Sequence, residues 1–244
     1  MTLAFPFDPL ERSERIENQV AEGKSRLYYR FRPAPYYGGI ATADAVGCSF
    51  LCAYCWNYGR NLHPERYREF YMPQEVADRL CRIADKKSFR LFRISGAEPI
   101  LGERTFFHLV EVLKFIDRKR PDSWFILETN GFYLGFRNDL LLVLREFSNL
   151  KVRICLKGVD EESFEHITGA KSGYYRYPIQ ALRELERLGV SVWPALMGDL
   201  FSKEDIRRLE TSLKKDGIRS GIELEFLEAY PFVFENMKKR KIKF

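Results

Sequence analysis

The chain has 244 residues, 45% hydrophobic and 30% charged, which is long enough for one domain with a sizeable core. Five cysteines without a signal peptide or a long apolar run are read as excluding a disulfide framework and a membrane span, and as placing the chain in the reducing cytoplasm. The formal net charge is +6 with a pI near 9.0, but both signs are interspersed, so bulk charge alone specifies no nucleic-acid partner.

Residues 1–38 read as an N-terminal extension that packs on the domain beginning at residue 39. A polar helical stretch around Leu10–Glu22 leads into Tyr28-Tyr29-Arg30-Phe31-Arg32-Pro33, which Pro33 and Pro35 hold extended and which is expected to cover one edge of the domain. From residue 39 to about 230 the pattern repeats as strand then helix. Strands are expected at Ile40–Val46, Arg90–Ser95, Trp124–Glu128, Lys151–Lys157, Ser191–Leu196 and Ile222–Leu227. Helices are expected between them at Pro73–Asp85, Arg104–Lys119, Asn138–Phe147, Tyr177–Leu188 and Lys203–Lys215, with Gly189 and Gly217 closing two of them. Such repeats imply parallel strands with right-handed crossovers, in either an open barrel or a doubly wound sheet.

The alternation along single strands separates these two. In Val152-Arg153-Ile154-Cys155-Leu156-Lys157 one face is apolar while the other carries Arg153, Cys155 and Lys157; Glu128 shares a face with Asn130, and Glu223 with Glu225. A doubly wound sheet is apolar on both faces beneath its helices, whereas a barrel can turn a polar face onto a lumen that holds a polar ligand. Residues 231–244, with the run Lys238-Lys239-Arg240-Lys241-Ile242-Lys243, read as a basic, solvated tail.

The first strand runs into Gly47-Cys48-Ser49-Phe50-Leu51-Cys52-Ala53-Tyr54-Cys55-Trp56, which holds three of the five cysteines at C-x3-C-x2-C spacing. Three thiolates on one tight loop can hold three corners of a four-iron four-sulfur cluster and leave the fourth iron open. Zinc normally takes a second Cys or His pair at regular spacing, which is missing here, and three unrelated core cysteines are the remaining alternative. Cys81 lies beside a helical apolar stripe and Cys155 on the polar strand face, so neither is read as a fourth ligand.

The motif, including Tyr54 before the last cysteine, resembles the cluster loop of the radical S-adenosylmethionine superfamily. That resemblance implies a partial (β/α)6 barrel, a 4Fe-4S cluster on Cys48, Cys52 and Cys55, and S-adenosylmethionine chelating the open iron. It implies reductive cleavage of the sulfonium to a 5′-deoxyadenosyl radical, a reductant such as ferredoxin or flavodoxin, and hydrogen abstraction from a substrate. Ser95-Gly96-Ala97-Glu98-Pro99 is similar to the family's Gly-Gly-Glu-Pro turn, which holds the ligand's ammonium, with Ala97 in place of the second Gly. Glu128-Thr129-Asn130-Gly131 and Cys155-Leu156-Lys157 resemble stretches of the enzymes that activate glycyl radical proteins, Cys155 departing from their Asp. The implied ligand contacts are Tyr54, Ser95, Gly96, Ala97, Glu98, Glu128, Asn130, Arg153 and Lys157. Arg153 and Lys157 are equally open to pairing with Glu223 and Glu225 inside the barrel.

The expected substrate is a polypeptide, as for activating enzymes, or a polar metabolite. RNA or a cofactor precursor is the second enzymatic reading, and an iron-sulfur electron carrier or a zinc module the non-enzymatic one. The stretch 57–71 is longer than a strand-to-helix connection needs and reads equally as a substrate-contacting loop or a shield over the cluster. His63, His108 and His166 share no metal-like spacing and are expected at the surface or as caps.

Overall fold

Period-2 alternation becomes, in a computed structural model describing residues 4–228 and 230–242, a single twisted sheet wrapped by helices. Asp8 caps the first helix, α1 (Pro9–Val20), accepting from the Leu10 amide at 2.9 Å. β1 (Ala21–Glu22) and the long β2 (Ser25–Ala34) follow, and a turn through Tyr36–Gly38 leads into β3 (Ile40–Ala45), the first barrel strand. After the cysteine loop come α2 (Tyr58–Leu62), β4 (Phe70–Tyr71), α3 (Pro73–Lys87), β5 (Leu91–Ser95), α4 (Glu103–Lys119) and β6 (Trp124–Thr129). The chain continues through α5 (Phe132–Phe136), α6 (Leu141–Leu144), β7 (Leu150–Leu156), α7 (Glu161–Thr168), α8 (Arg176–Arg187), β8 (Ser191–Met197), α9 (Lys203–Lys215), β9 (Glu223–Glu225) and α10 (Pro231–Lys239).

The strand order is β1-β2-β3-β5-β6-β7-β8-β9, with β4 beside β2. Pairing is parallel from β3 to β9 and antiparallel between β2 and β3. This is the α/β, partial (β/α)6 barrel that the family resemblance implied and the alternation supported. Phe92, Ile94, Phe125, Leu127, Val152 and Ile154 face the helices and are buried with Val76, Leu80, Phe106 and Leu182. Each such side chain contributes roughly 1.5–3 kcal/mol. The opposite faces enclose a lumen with an apolar floor of Ala34, Ile40 and Ile126. No helix among the described residues is long and apolar enough to cross a membrane.

The structure departs from these expectations locally. The helix read at Asn138–Phe147 is instead a 3-10 turn (Asn138–Leu140) followed by the four-residue α6, and α5 precedes it. α5 packs so closely on α8 that a Cβ on Gly135 would collide with the Tyr177 carbonyl oxygen. α7, which periodicity alone does not reveal, is started by Asp160, whose carboxylate accepts from the Ser163 amide at 2.8 Å. The basic stretch expected to be a solvated tail is a helix through residue 239. Pro231 opens it, and Val233 and Met237, four residues apart on one face, bury against Ala53. Lys243 and Phe244, at the end of that expected tail, lie outside the described residues.

His108 is likewise neither exposed nor a cap: it is 3% exposed on α4 and bonds the Lys24 carbonyl through Nδ1 at 2.8 Å. A carbonyl only accepts, so Nδ1 carries the proton and Nε2 accepts from the Tyr28 hydroxyl at 2.9 Å.

Candidate active site

β3 is buried along its whole length and, with Ala41, Ala43 and Ala45, small enough to sit beneath other elements, so the loop after it starts from a fixed point. Gly47 turns the chain there at φ 93, and a Cβ at that position would meet Ile16 of α1 at 2.6 Å. Backbone bonds then hold the loop from two sides. Gly47 accepts from the Glu98 amide at 3.1 Å, Leu51 donates to Thr168 at 3.1 Å, and Ala53 donates to Ile167 at 2.9 Å. Phe50 anchors it from below, against Phe132 and Phe164 with ring centroids 5.6 and 5.2 Å away.

The sulfurs already accept hydrogen bonds. Cys48 Sγ takes the Phe50 amide at 3.5 Å, and Cys55 Sγ takes the Asn57 amide at 3.3 Å and Asn61 Nδ2 at 3.7 Å. Such donors favour thiolates, the form that iron binds. Burial works the other way in the metal-free loop and pushes Cys48 up to about 12 and Cys52 and Cys55 up to about 11. Iron binding must therefore release protons. Among the described residues no three His, Cys, Asp or Glu converge on one ion-sized point. A four-iron cluster places its ligands on separate irons and asks for no such convergence, so the three thiols fit it.

Ser95, Gly96 and Ala97 sit half-buried at the end of β5, beside the cysteine loop, with Gly96 at φ 80. Asn57 of the cysteine loop donates through Nδ2 to the Gly96 carbonyl, and Asn130 Nδ2 donates to Ser49 Oγ at 2.9 Å. The ends of β3, β5 and β6 are thus joined around the three thiols.

Glu98, expected to face the ligand, instead turns inward. It is 4% exposed, and its carboxylate accepts from the Ile100 amide (3.0 Å), the Thr129 hydroxyl (2.5 Å) and the Asn130 amide (2.8 Å). Burial raises its pKa, and those three bonds oppose the rise. Arg26 of β2, completely buried, donates to the carbonyls of Glu98, at 2.6 Å, and Pro99.

Of the expected luminal charges, Glu128 and Arg153 are already matched, while Lys157 makes no ion pair among the described residues. Glu128 accepts from Arg93 at 2.7 Å and from the Tyr37 hydroxyl at 3.0 Å. Arg153 bridges Glu223 at 3.1 Å and Glu225 at 2.9 Å and donates to Cys155 Sγ at 3.1 Å. Lys157 is half-buried with Nζ 5.5 Å from the centre of the Tyr54 ring. Burial disfavours its charge, but the pull of Tyr54, Cys155, Cys52 and Glu225 prevails and its pKa stands well above the ordinary lysine value.

Several residues with a part here were missed in the sequence. Arg93 follows the same alternation as Ser95 on β5. Arg12, 3% exposed, donates through Nε to the Cys48 carbonyl at 3.2 Å and through its terminal nitrogen to the Asn61 carbonyl at 2.8 Å. It lies one turn before Ile16 and two before Val20 on the stripe that α1 buries, which was the available cue. Stretch 57–71 is divided: Asn57, Asn61 and Pro64 are buried, while Arg66 and Arg68 are exposed. Arg60 bonds Asn57 and stacks 4.6 Å from the Tyr29 ring, and Phe70 and Tyr71 pair with β2. These contacts tie one side of the stretch to β2 and leave its exposed arginines to either reading.

The Radical SAM superfamily model matches residues 44–213. A GTP 3',8-cyclase of Microcystis aeruginosa is 28% identical over 122 residues, which cover 50% of this chain and 35% of the cyclase. One of Sinorhizobium medicae is 27% identical over 139 residues, covering 57% and 37%. The chain thus spans little more than a third of the length of these relatives. Among solved structures, a spore photoproduct lyase variant with bound S-adenosylmethionine and dinucleoside spore photoproduct has a TM-score of 0.62 at 13% identity, over 98% of this chain and 72% of that one. Streptococcus suis SuiB bound to its precursor peptide SuiA has 0.60 at 16% identity, over 81% and 40%. At such identities the likeness is one of fold. The family match itself runs from Asp44, beneath the cysteine loop, to Leu213 on α9, and on it the chain belongs to the radical SAM superfamily, enzymes whose cofactors are S-adenosylmethionine and a 4Fe-4S cluster.

Proposed function

We propose that Cys48, Cys52 and Cys55 hold the cluster, that the Ser95–Ala97 turn and Lys157 hold S-adenosylmethionine on the open iron, and that the substrate occupies the polar lumen. When bound, these cofactors supply the 5′-deoxyadenosyl radical that takes a hydrogen atom from the substrate. The observation that carries the reading is the loop itself: three thiols at the carboxyl end of the first parallel strand, tied by hydrogen bonds to the ends of β5 and β6.

The protein's part is positioning. Glu98 and Arg26 stiffen the turn, and Lys157, without an ion pair among the described residues, provides a cation for the ligand's carboxylate. The paired charges of the lumen suit a polar, charged substrate, either a polypeptide or a metabolite. A cofactor precursor or nucleotide is the second reading, favoured by the similarity to GTP 3',8-cyclases.

Anaerobic reconstitution is expected to give about four irons per chain in the wild type and in Cys155→Ser, and to fail in Cys48→Ser. Stoichiometric zinc, or loss of iron in Cys155→Ser, overturns the ligand assignment. Deuterium appearing in 5′-deoxyadenosine after incubation with labelled peptide or metabolite pools then identifies the substrate class.

A further inference from the structure

We propose that the basic end of α10 is the docking surface of an acidic one-electron carrier protein of the ferredoxin class, which delivers its electron to the cluster through the cysteine loop. The inference rests on the cluster assignment above. In the transfer the carrier loses one electron and the cluster gains it, with no bond or proton exchanged.

Position is the first argument. Val233 and Met237 of α10 bury against Ala53, which lies between Cys52 and Cys55. The Ile167 carbonyl accepts both from the Ala53 amide at 2.9 Å and from the Arg240 guanidinium at 2.8 Å. The half-buried Arg240 is therefore joined to the cysteine loop through one carbonyl, so a protein seated on the exposed lysines around it stands beside that loop.

Charge is the second. Lys238, Lys239, Arg240 and Lys241 are consecutive, and the three lysines are exposed and make no ion pair among the described residues. Two lysines in the last turn suffice to balance a helix dipole, but the run continues past the helix end at Lys239. An unpaired cluster of one sign steers an oppositely charged partner and speeds encounter more than it deepens affinity.

Shape is the third. Lys239 and Arg240 form one wall of an open cleft of about 750 Å³, faced by Glu161, Glu162 and Glu165 of α7 and floored by Phe5 and Pro6. Opposed walls of opposite sign would fix the orientation of a partner that presents its acidic rim to α10. Arg240 is itself held over the Phe5 ring at 4.3 Å, which keeps that wall in place.

The test replaces Lys238, Lys239 and Lys241 together by Glu in the whole chain and supplies the electron in two ways. With dithionite, iron content and the rate of S-adenosylmethionine cleavage are expected to match the wild type. With reduced plant-type ferredoxin, the KM for ferredoxin is expected to rise about tenfold at low ionic strength, and the gap to close as salt screens the surface. Lys→Gln at the same positions should give an intermediate KM.

An unchanged ferredoxin KM overturns the proposal, and a concurrent loss of binding to bulk transfer RNA would give the surface to nucleic acid instead. A parallel fall in the dithionite-driven rate also overturns it, because the helix end then serves the cluster and not the carrier. Failure of the wild type itself to bind iron would instead strike at the cluster assignment.

Discussion

Glu98 shows what a single residue reveals in sequence and what it hides. Its place at a strand end was legible from Gly96-Ala97-Glu98-Pro99, but its direction was not, because its partners Thr129 and Asn130 come from the next strand, 31 and 32 positions away. Glu98→Gln keeps one accepting oxygen but turns an NH2 group against the donors on the other side, and is expected to lower apo-protein stability by about 1–3 kcal/mol in anaerobic denaturant unfolding. A smaller change would mean that the turn stands without the carboxylate. His108 gives a pH-dependent counterpart. Burial lowers its pKa from 6.5 to about 4, so below pH 6.5 the unfolded chain takes up a proton that the folded one refuses. Its contribution is intact above pH 6.5 and declines as the pH falls toward 4, by about 3 kcal/mol in all. The stability advantage of the wild type over His108→Gln should shrink across that window. A constant difference would place the titration elsewhere.

Among the elements, the six strands and the long helices were legible because alternation and the 3.6-residue stripe each extend over many positions. The short ones were not. α5 has five residues, and its identity depends on α8, against which Gly135 lies. Gly135→Ala drives a methyl into the Tyr177 carbonyl and is expected to destabilise by about 1–3 kcal/mol, although alanine is the better helix former. A stabilised variant would show that the two helices can separate. α1 was legible as a helix but not as a strut. Its buried face mixes Ile16 and Val20 with Arg12, Ser13 and Glu17, which bond Cys48, Leu101 and Thr105. Polar residues on a buried stripe mark contacts to backbone, and only the fold shows which backbone.

For the molecule as a whole, the cysteine motif and the polar strand faces were enough to set out the barrel. What they left open was how firmly the N-terminal extension is built into the site. Arg12 and Arg26, both buried, donate to the carbonyls of Cys48, Glu98 and Pro99 from outside the parallel strands. Deleting residues 1–20 is expected to leave far-UV secondary structure largely in place while reconstituted iron falls well below about four per chain, although every cysteine remains. Full iron loading of the truncated chain would reduce α1 to a cover.

With the substrate in the lumen as proposed, the pairs Arg93–Glu128 and Arg153–Glu223/Glu225 would make the pocket an ion exchanger. A neutral guest would have to lodge beside intact pairs, while a charged one can enter by taking the place of a carboxylate, trading one contact for another of similar strength. Such exchange yields little net affinity but a strict order of charges. The enzyme would then recognise its substrate by which internal bond it replaces, and Glu223→Gln, by loosening Arg153 beforehand, should admit anionic compounds that the wild type turns away.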